Sequence, residues 1–203
     1  MTQRRSVVKV LALVLGVVGL LGLGGYAFMG SSDRANATDP TQPTEQAVDE
    51  NEQALASRAI GPSSGRPLPR FVSLKSDKVN VRRGPSSEHQ VAWVYSRRNL
   101  PVEVTAEFEH WRRIRDSDGE EGWVYHSLLS SRRSVIVSPW KKGTVMMLSQ
   151  PDRSSRPVAQ VESGVLGFVD QCTGEWCRIE TNGYSGWLRQ DILWGVYPGE
   201  KLR

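Results

Sequence analysis

One pattern is written twice in this 203-residue chain. Trp111-Arg112-Arg113-Ile114 is followed by Gly122-Trp123 and Leu128-Leu129; later, Trp176-Cys177-Arg178-Ile179 is followed by Gly186-Trp187 and Ile192-Leu193. The second copy trails the first by 65 positions at the leading Trp and by 64 at the Gly-Trp, so its intervening hairpin is one residue shorter. A period of this size exceeds that of solenoid repeats and suits a small domain, so the chain is expected to carry two copies of one module. Domains of roughly 60–70 residues bury only about 60% of their unfolded surface, so each core is expected to be thin and its aromatics to matter. All seven Trp residues lie after position 90, which places the folded part from about Pro69 onward.

The segment before that point divides in two. Arg4, Arg5 and Lys9 precede a mostly apolar run from Val10 to Met29, the layout of an export signal. Arg4-Arg5-Ser6-Val7-Val8-Lys9 also fits a twin-arginine signal, although the general secretion route suits the run equally well. Ala35-Asn36-Ala37 offers a cleavage site, yet the run is long enough to span a bilayer as an N-terminal helix with its basic end inside. Residues 1–30 are therefore a signal peptide or a signal anchor; residues 10–29 would hold an uncleaved chain in the inner membrane. Residues 31–68, rich in Ser, Thr, Pro, Gln and acidic side chains, read as a disordered, flexible linker. Either way the chain is expected to be exported and to work in the periplasm.

Beyond the linker, β-branched and alternating stretches recur between turn signals, at Val79–Val81, Val91–Tyr95, Val102–Thr105, Trp111–Ile114 and Gly122–Tyr125. That spacing predicts an all-β sandwich or small barrel. Val79-Asn80-Val81-Arg82-Arg83-Gly84-Pro85-Ser86, then Leu100-Pro101-Val102-Glu103-Val104, Trp111–Ile114 and Gly122-Trp123-Val124 occur in the order and spacing of a bacterial SH3-like domain, which residues 71–131 resemble. Residues 140–197 resemble the same family but depart from it at Val145-Met146-Met147-Leu148-Ser149-Gln150-Pro151, where the Asn-Val-Arg opening should stand. The tandem layout is similar to that of a group of exported alphaproteobacterial proteins. The resemblance implies two tandem SH3-like barrels, over residues 69–138 and 139–203, following the apolar helix and the linker.

Cys172-Thr173-Gly174-Glu175-Trp176-Cys177 has a reading of its own. A two-residue Gly174-Glu175 loop suits a type II′ turn, with Thr173 and Trp176 closing the hairpin. The cysteines then fall on a non-hydrogen-bonded pair, where Cα atoms lie about 4.5 Å apart, within reach of a disulfide. A redox pair or half a metal site are the alternatives, but the spacing is C-x₄-C with no His nearby. At the matching offset the first module carries Glu107 and Arg112, read as an exposed ion pair worth under about 1 kcal/mol.

Strand alternation puts Trp111 and Arg113 on the face opposite Ile114, and likewise Trp176 and Arg178 opposite Ile179. An outward Trp beside an Arg is a candidate surface for stacking a sugar or peptide while the Arg meets a carboxylate. Trp123 and Tyr125 share a face of the neighbouring strand and join this set; for all these Trp residues the other reading is a cover over a thin core. Residues 66–142 hold fifteen Lys and Arg against nine Asp and Glu, which favours anionic partners. Export argues against nucleic acid. The three His residues match no metal motif and no nucleophile elbow is present, so no enzyme, cofactor or metal site is expected. SH3-type folds bind extended ligands in an aromatic-lined groove, and relatives often accompany a cell-wall peptidase for which this chain leaves no room. The expected function is non-catalytic binding of peptidoglycan or peptide-like ligands in the cell envelope. The alternatives are a scaffold docking another envelope protein, or an accessory subunit of an envelope enzyme. Thiol titration of the exported protein, unfolded but not reduced, should find no free thiol; two would refute the disulfide.

Overall fold

The computed structural model describes residues 58–203, which belong to one compact unit. The expected signal or anchor and the linker up to residue 57 lie outside the described residues. Among the described residues no helix is long and apolar enough to cross a membrane.

Nearly everything is antiparallel strand. A short hairpin of β1 (Ala59–Ile60) and β2 (Pro67–Leu68) comes first. The first module contains β3 (Arg70–Leu74), β4 (Val79–Arg82), β5 (Val91–Tyr95), β6 (Pro101–Phe108), β7 (Trp111–Arg115), β8 (Glu121–Tyr125) and β9 (Leu129–Ser130). The second contains β10 (Ser134–Val137), β11 (Thr144–Leu148), β12 (Pro157–Glu162), β13 (Leu166–Thr173), β14 (Trp176–Thr181), β15 (Tyr184–Arg189), β16 (Leu193–Trp194) and β17 (Lys201–Leu202). The sheet orders are β5-β4-β8-β7-β6-β3-β9 and β12-β11-β15-β14-β13-β10-β16, so each strand of the first has a counterpart in the second. Even the irregularities repeat: both long strands carry a bulge, at Thr105 and Asp170, and both modules have a single 3-10 turn, at His126–Leu128 and Gln190–Ile192.

The repeated motif is a packing motif. Ile114 and Ile179 are fully buried, each in the centre of its module. The Gly of each Gly-Trp faces the strand across the core. A Cβ on Gly122 would collide with Val81, and one on Gly186 with Met147, so only glycine lets β4 and β11 close onto β8 and β15. The cores are aliphatic: Val72, Leu74, Val79, Val81, Val102, Val104, Ile114 and Val124 in the first module. Aromatics rim this core, with Trp93 and Tyr95 half-buried against it, rather than filling it as their number in the sequence suggests. In the second module the core includes Cys172 and Cys177, which are paired across β13 and β14 and bonded as a disulfide, with Cα atoms 4.1 Å apart. Gly174 takes the positive φ of 107° that the turn requires.

Three expectations need correction. Residues 58–68, read as linker, form the β1–β2 hairpin, because Glu107 holds the loop between them. The second module starts at β10, since Ser134–Val137 pairs with β13 and β16; the boundary falls between Ser130 and Ser134, not at 138. The Glu107–Arg112 pair is buried, not exposed: the Glu107 side chain is 0% accessible and that of Arg112 8%. Charges leave water only where partners replace it. The Glu107 carboxylate accepts bonds from the Ser63 and Ser64 backbone N–H at 3.1 and 2.9 Å, the Ser64 hydroxyl at 2.6 Å and Arg70 Nη2 at 2.7 Å, and pairs with Arg112 Nε at 3.2 Å. Gly61 is packed so tightly there that a Cβ would lie 2.6 Å from the carboxylate carbon.

The two modules meet face to face through the tail of the second. Phe71 packs edge-on against Trp194 at 5.1 Å and against Tyr197 at 4.6 Å between ring centres. Trp194 Nε1 donates to Pro101 O at 3.3 Å, the Tyr197 hydroxyl to Glu103 at 2.8 Å and the Ser134 hydroxyl to Asn99 O at 2.7 Å. Glu103, 3% exposed, is also held by Arg115. Burial alone would raise the Glu107 pKa, but the bonds from Ser64 and Arg70 and the charge of Arg112 outweigh it and lower it from 4.5 to about 2. A carboxyl whose pKa is depressed by folding stabilises the fold above its ordinary pKa, and that contribution disappears as pH falls through the folded value. Stability should therefore drop between about pH 4.5 and 2, by about 3 kcal/mol from this group. Urea denaturation should show Glu107→Gln already destabilised by about that much at pH 7, with its loss of stability over the acid window smaller by the same amount. Wild-type stability at pH 7 with an unchanged acid limb would refute this assignment.

Candidate functional site

The hairpin of β6 and β7 presents the site. Phe108 and Trp111 are the last cross-strand pair before a two-residue turn, Glu109–His110. Below the turn, Arg112 points inward; its Nη1 donates to Glu109 O at 2.8 Å and Trp111 O at 2.9 Å while Nε meets Glu107. One nitrogen of a rigid guanidinium thus fixes a carbonyl within the turn and the one just after it. Glu109 itself has φ of 48°, left-handed, where the matching turn of the second module has Gly174. Such a conformation costs a non-glycine residue about 1–3 kcal/mol, and it persists here because Arg112 and Glu107 over-determine the turn.

On the outward face, Phe108, Trp111 and Tyr125 stand opposite one another across β6, β7 and β8, an aromatic row three strands wide. The Trp111 and Tyr125 rings meet edge to face at 5.5 Å. The next row holds Arg113 opposite Trp123, and Trp123 opposite Arg82. Beside the row lies a groove of about 450 Å³ lined by Asn80, Arg82, Ser86, Trp111, Tyr125 and Leu128. Arg82 is steadied by Nη1 donating to His89 O at 2.6 Å. Tyr125 also touches His110 and His126, whose rings lie 5.8 and 5.0 Å from its own.

Of the residues expected at a site, Trp111 and Tyr125 are brought together in one groove. Arg113 and Trp123 share their face one row further on; Arg113 is paired with Glu121, and Trp123 is half-buried between two arginines. The second module does not repeat the arrangement. Trp176 is 7% exposed, buried rather than offered to a ligand, with the Arg189 guanidinium over its ring at 6.0 Å. Arg189 is its cross-strand partner on β15, and on the other side of the hairpin β17 pairs with Cys172 and Thr173 and builds it into the domain. Thr173 stands where Phe108 does, and Leu148, opposite Trp187, where Arg82 does. Arg178 is exposed and bonds Ser185 at 3.1 Å. Phe108, Arg82 and His126 belong to the first module's site without having been singled out. Phe108 was signalled by its place before the two-residue turn, and Arg82 by the Asn-Val-Arg opening. Among the described residues no group of three or more His, Cys, Asp or Glu is placed to hold a metal.

The family model for the bacterial SH3 domain matches the chain twice, over residues 75–131 and 141–195. No curated protein matches the chain. Among solved structures it is similar to NlpC1 from Trichomonas vaginalis, at 16% identity over 66% of this chain and 48% of that one, with a TM-score of 0.29. It is likewise similar to NlpC2 from Trichomonas vaginalis, at 14% identity over 62% of this chain and 48% of that one, with a TM-score of 0.29. The chain therefore spans about half the length of these two structures. The matched segments fall one within each module, where seven strands run in identical order, and together they cover more than half of the sequence: the chain belongs to the bacterial SH3 domain family.

Proposed function

We propose that this protein is a non-catalytic binding module of the cell envelope, exported to the periplasm, that recognises peptidoglycan or a peptide-like wall component through its first module. The observation that carries the reading is the aromatic row of Phe108, Trp111 and Tyr125 beside a groove edged by Arg82. Aromatic faces stack on sugar rings and on extended peptide backbone, and a guanidinium reads a carboxylate in two-pronged geometry. Its rigid seat on the Glu107–Arg112 pair lowers the ordering cost of binding. The disulfide supports an oxidising compartment, where such bonds persist.

A second reading, docking of another envelope protein, is favoured by one observation. Strand β5 is the sheet's edge, with Val91 and Val94 exposed, and an open edge can accept an added strand. Retention on purified peptidoglycan sacculi separates the two. The full chain should be retained, and Trp111→Ala should reduce retention at least about tenfold, the loss of a central aromatic contact of ~1.5 kcal/mol or more. Failure of the wild-type chain to be retained even at low salt would overturn the wall-binding reading.

A further inference from the structure

A second cavity lies on the other side of the Glu109–His110 turn from the aromatic groove. It measures about 780 Å³, and its walls include Arg66, Arg70 and Arg112, the two rings His110 and His126, and Ser130. We propose that it binds an oxyanion, a carboxylate or phosphate group, and that one ligand spans both grooves across the turn. The proposal rests on the envelope-binding reading only in assigning the oxyanion to that same ligand.

Charge is the first reason. Three guanidiniums line the cavity, and Glu109 is the one carboxylate that does. Glu107, which balances Arg70 and Arg112, lies fully buried beneath them and is not part of the wall. Arg66 has no ion-pair partner among the described residues. Donor capacity is the second. Glu107 takes only Nη2 of Arg70; Nη1 makes a long bond of 3.4 Å to Pro67 O, and Nε has no partner but is itself buried, so Nη1 is the donor of that side chain most easily drawn to an anion. The Ser130 hydroxyl accepts from the Arg132 N–H at 3.2 Å, leaving its own proton to give.

Preorganisation is the third. Arg112 is 7% exposed, and both Arg70 and Arg112 are locked by Glu107, so they need little ordering when an anion arrives. Continuity is the fourth. Glu109 lines both grooves, and the rings run unbroken from Trp111 through Tyr125 to His126 and His110, the last two 5.5 Å apart. A ligand stacked on Trp111 and Tyr125 therefore has a path along aromatic faces to the guanidiniums.

The chain's three His residues make the test direct. Two line the cavity, and the third, His89, packs on Gly84 away from it. The full chain is titrated with inorganic phosphate, and separately with acetate, at fixed pH and ionic strength while the imidazole resonances are followed. Saturable shifts of His110 and His126, with His89 unmoved, are expected. Arg66→Ala should weaken them by about tenfold, one charge-assisted contact. Stronger response to phosphate assigns a phosphorylated ligand, stronger response to acetate a carboxylate; both support the site. Shifts that do not saturate, that appear equally at His89, or that Arg66→Ala leaves untouched, overturn it. Sacculus retention is read separately, so the cavity and the wall-binding reading fail independently.

Discussion

The first module is organised around a carboxylate that water cannot reach. Glu107 draws three separate pieces of chain to one point: the loop after β1 through Ser63 and Ser64, strand β3 through Arg70, and the β6–β7 hairpin through Arg112. A buried charge is tolerable only when its bonds are complete, so none of these pieces can leave without stranding it. Arg112 carries the constraint onward to the carbonyls of Glu109 and Trp111, and so to the attitude of the Trp111 side chain. Stability and presentation of the aromatic row therefore share one origin.

The second module reaches a comparable end by other means. Where the first puts Glu107 and Arg112, it puts a disulfide; where the first recruits the β1–β2 hairpin, it recruits β17. The tail between them, from Trp194 to Glu200, docks on Phe71 and Glu103 and fuses the pair. A repeated fold has thus diverged into a face that is offered and a face that is sealed. Arg189 over Trp176 is the clearest mark of the sealing.

Much of this was legible in the sequence because it depends on neighbours along the chain. The hairpin turn at Gly174, the cysteine pair, the inward Ile114 and Ile179, and the outward Trp111 all follow from alternation within a strand pair. The errors share a cause. Whether Glu107 is buried depends on residues some forty positions away, whether Trp176 is covered depends on Arg189 of the next strand, and where the second module begins depends on strands that β10 joins later in the chain. Local pattern tells which face a side chain takes; it does not tell what arrives to cover that face. The role of Trp194 and Tyr197 at the seam was hidden for the same reason.

The way the chain enters the first module has a mechanical consequence. Arg58 lies over the Tyr197 ring at 3.8 Å, and the chain then runs through β1 to the serines that grip Glu107. Tension applied from the N-terminal side must pass through Arg58, the seam between the modules and that grip before it reaches either aliphatic core. The grip on Glu107 is also what holds the turn beneath Trp111. A pull at Arg58 is thus felt at the turn that carries Trp111, and the path of force runs in series with the seat of the aromatic row.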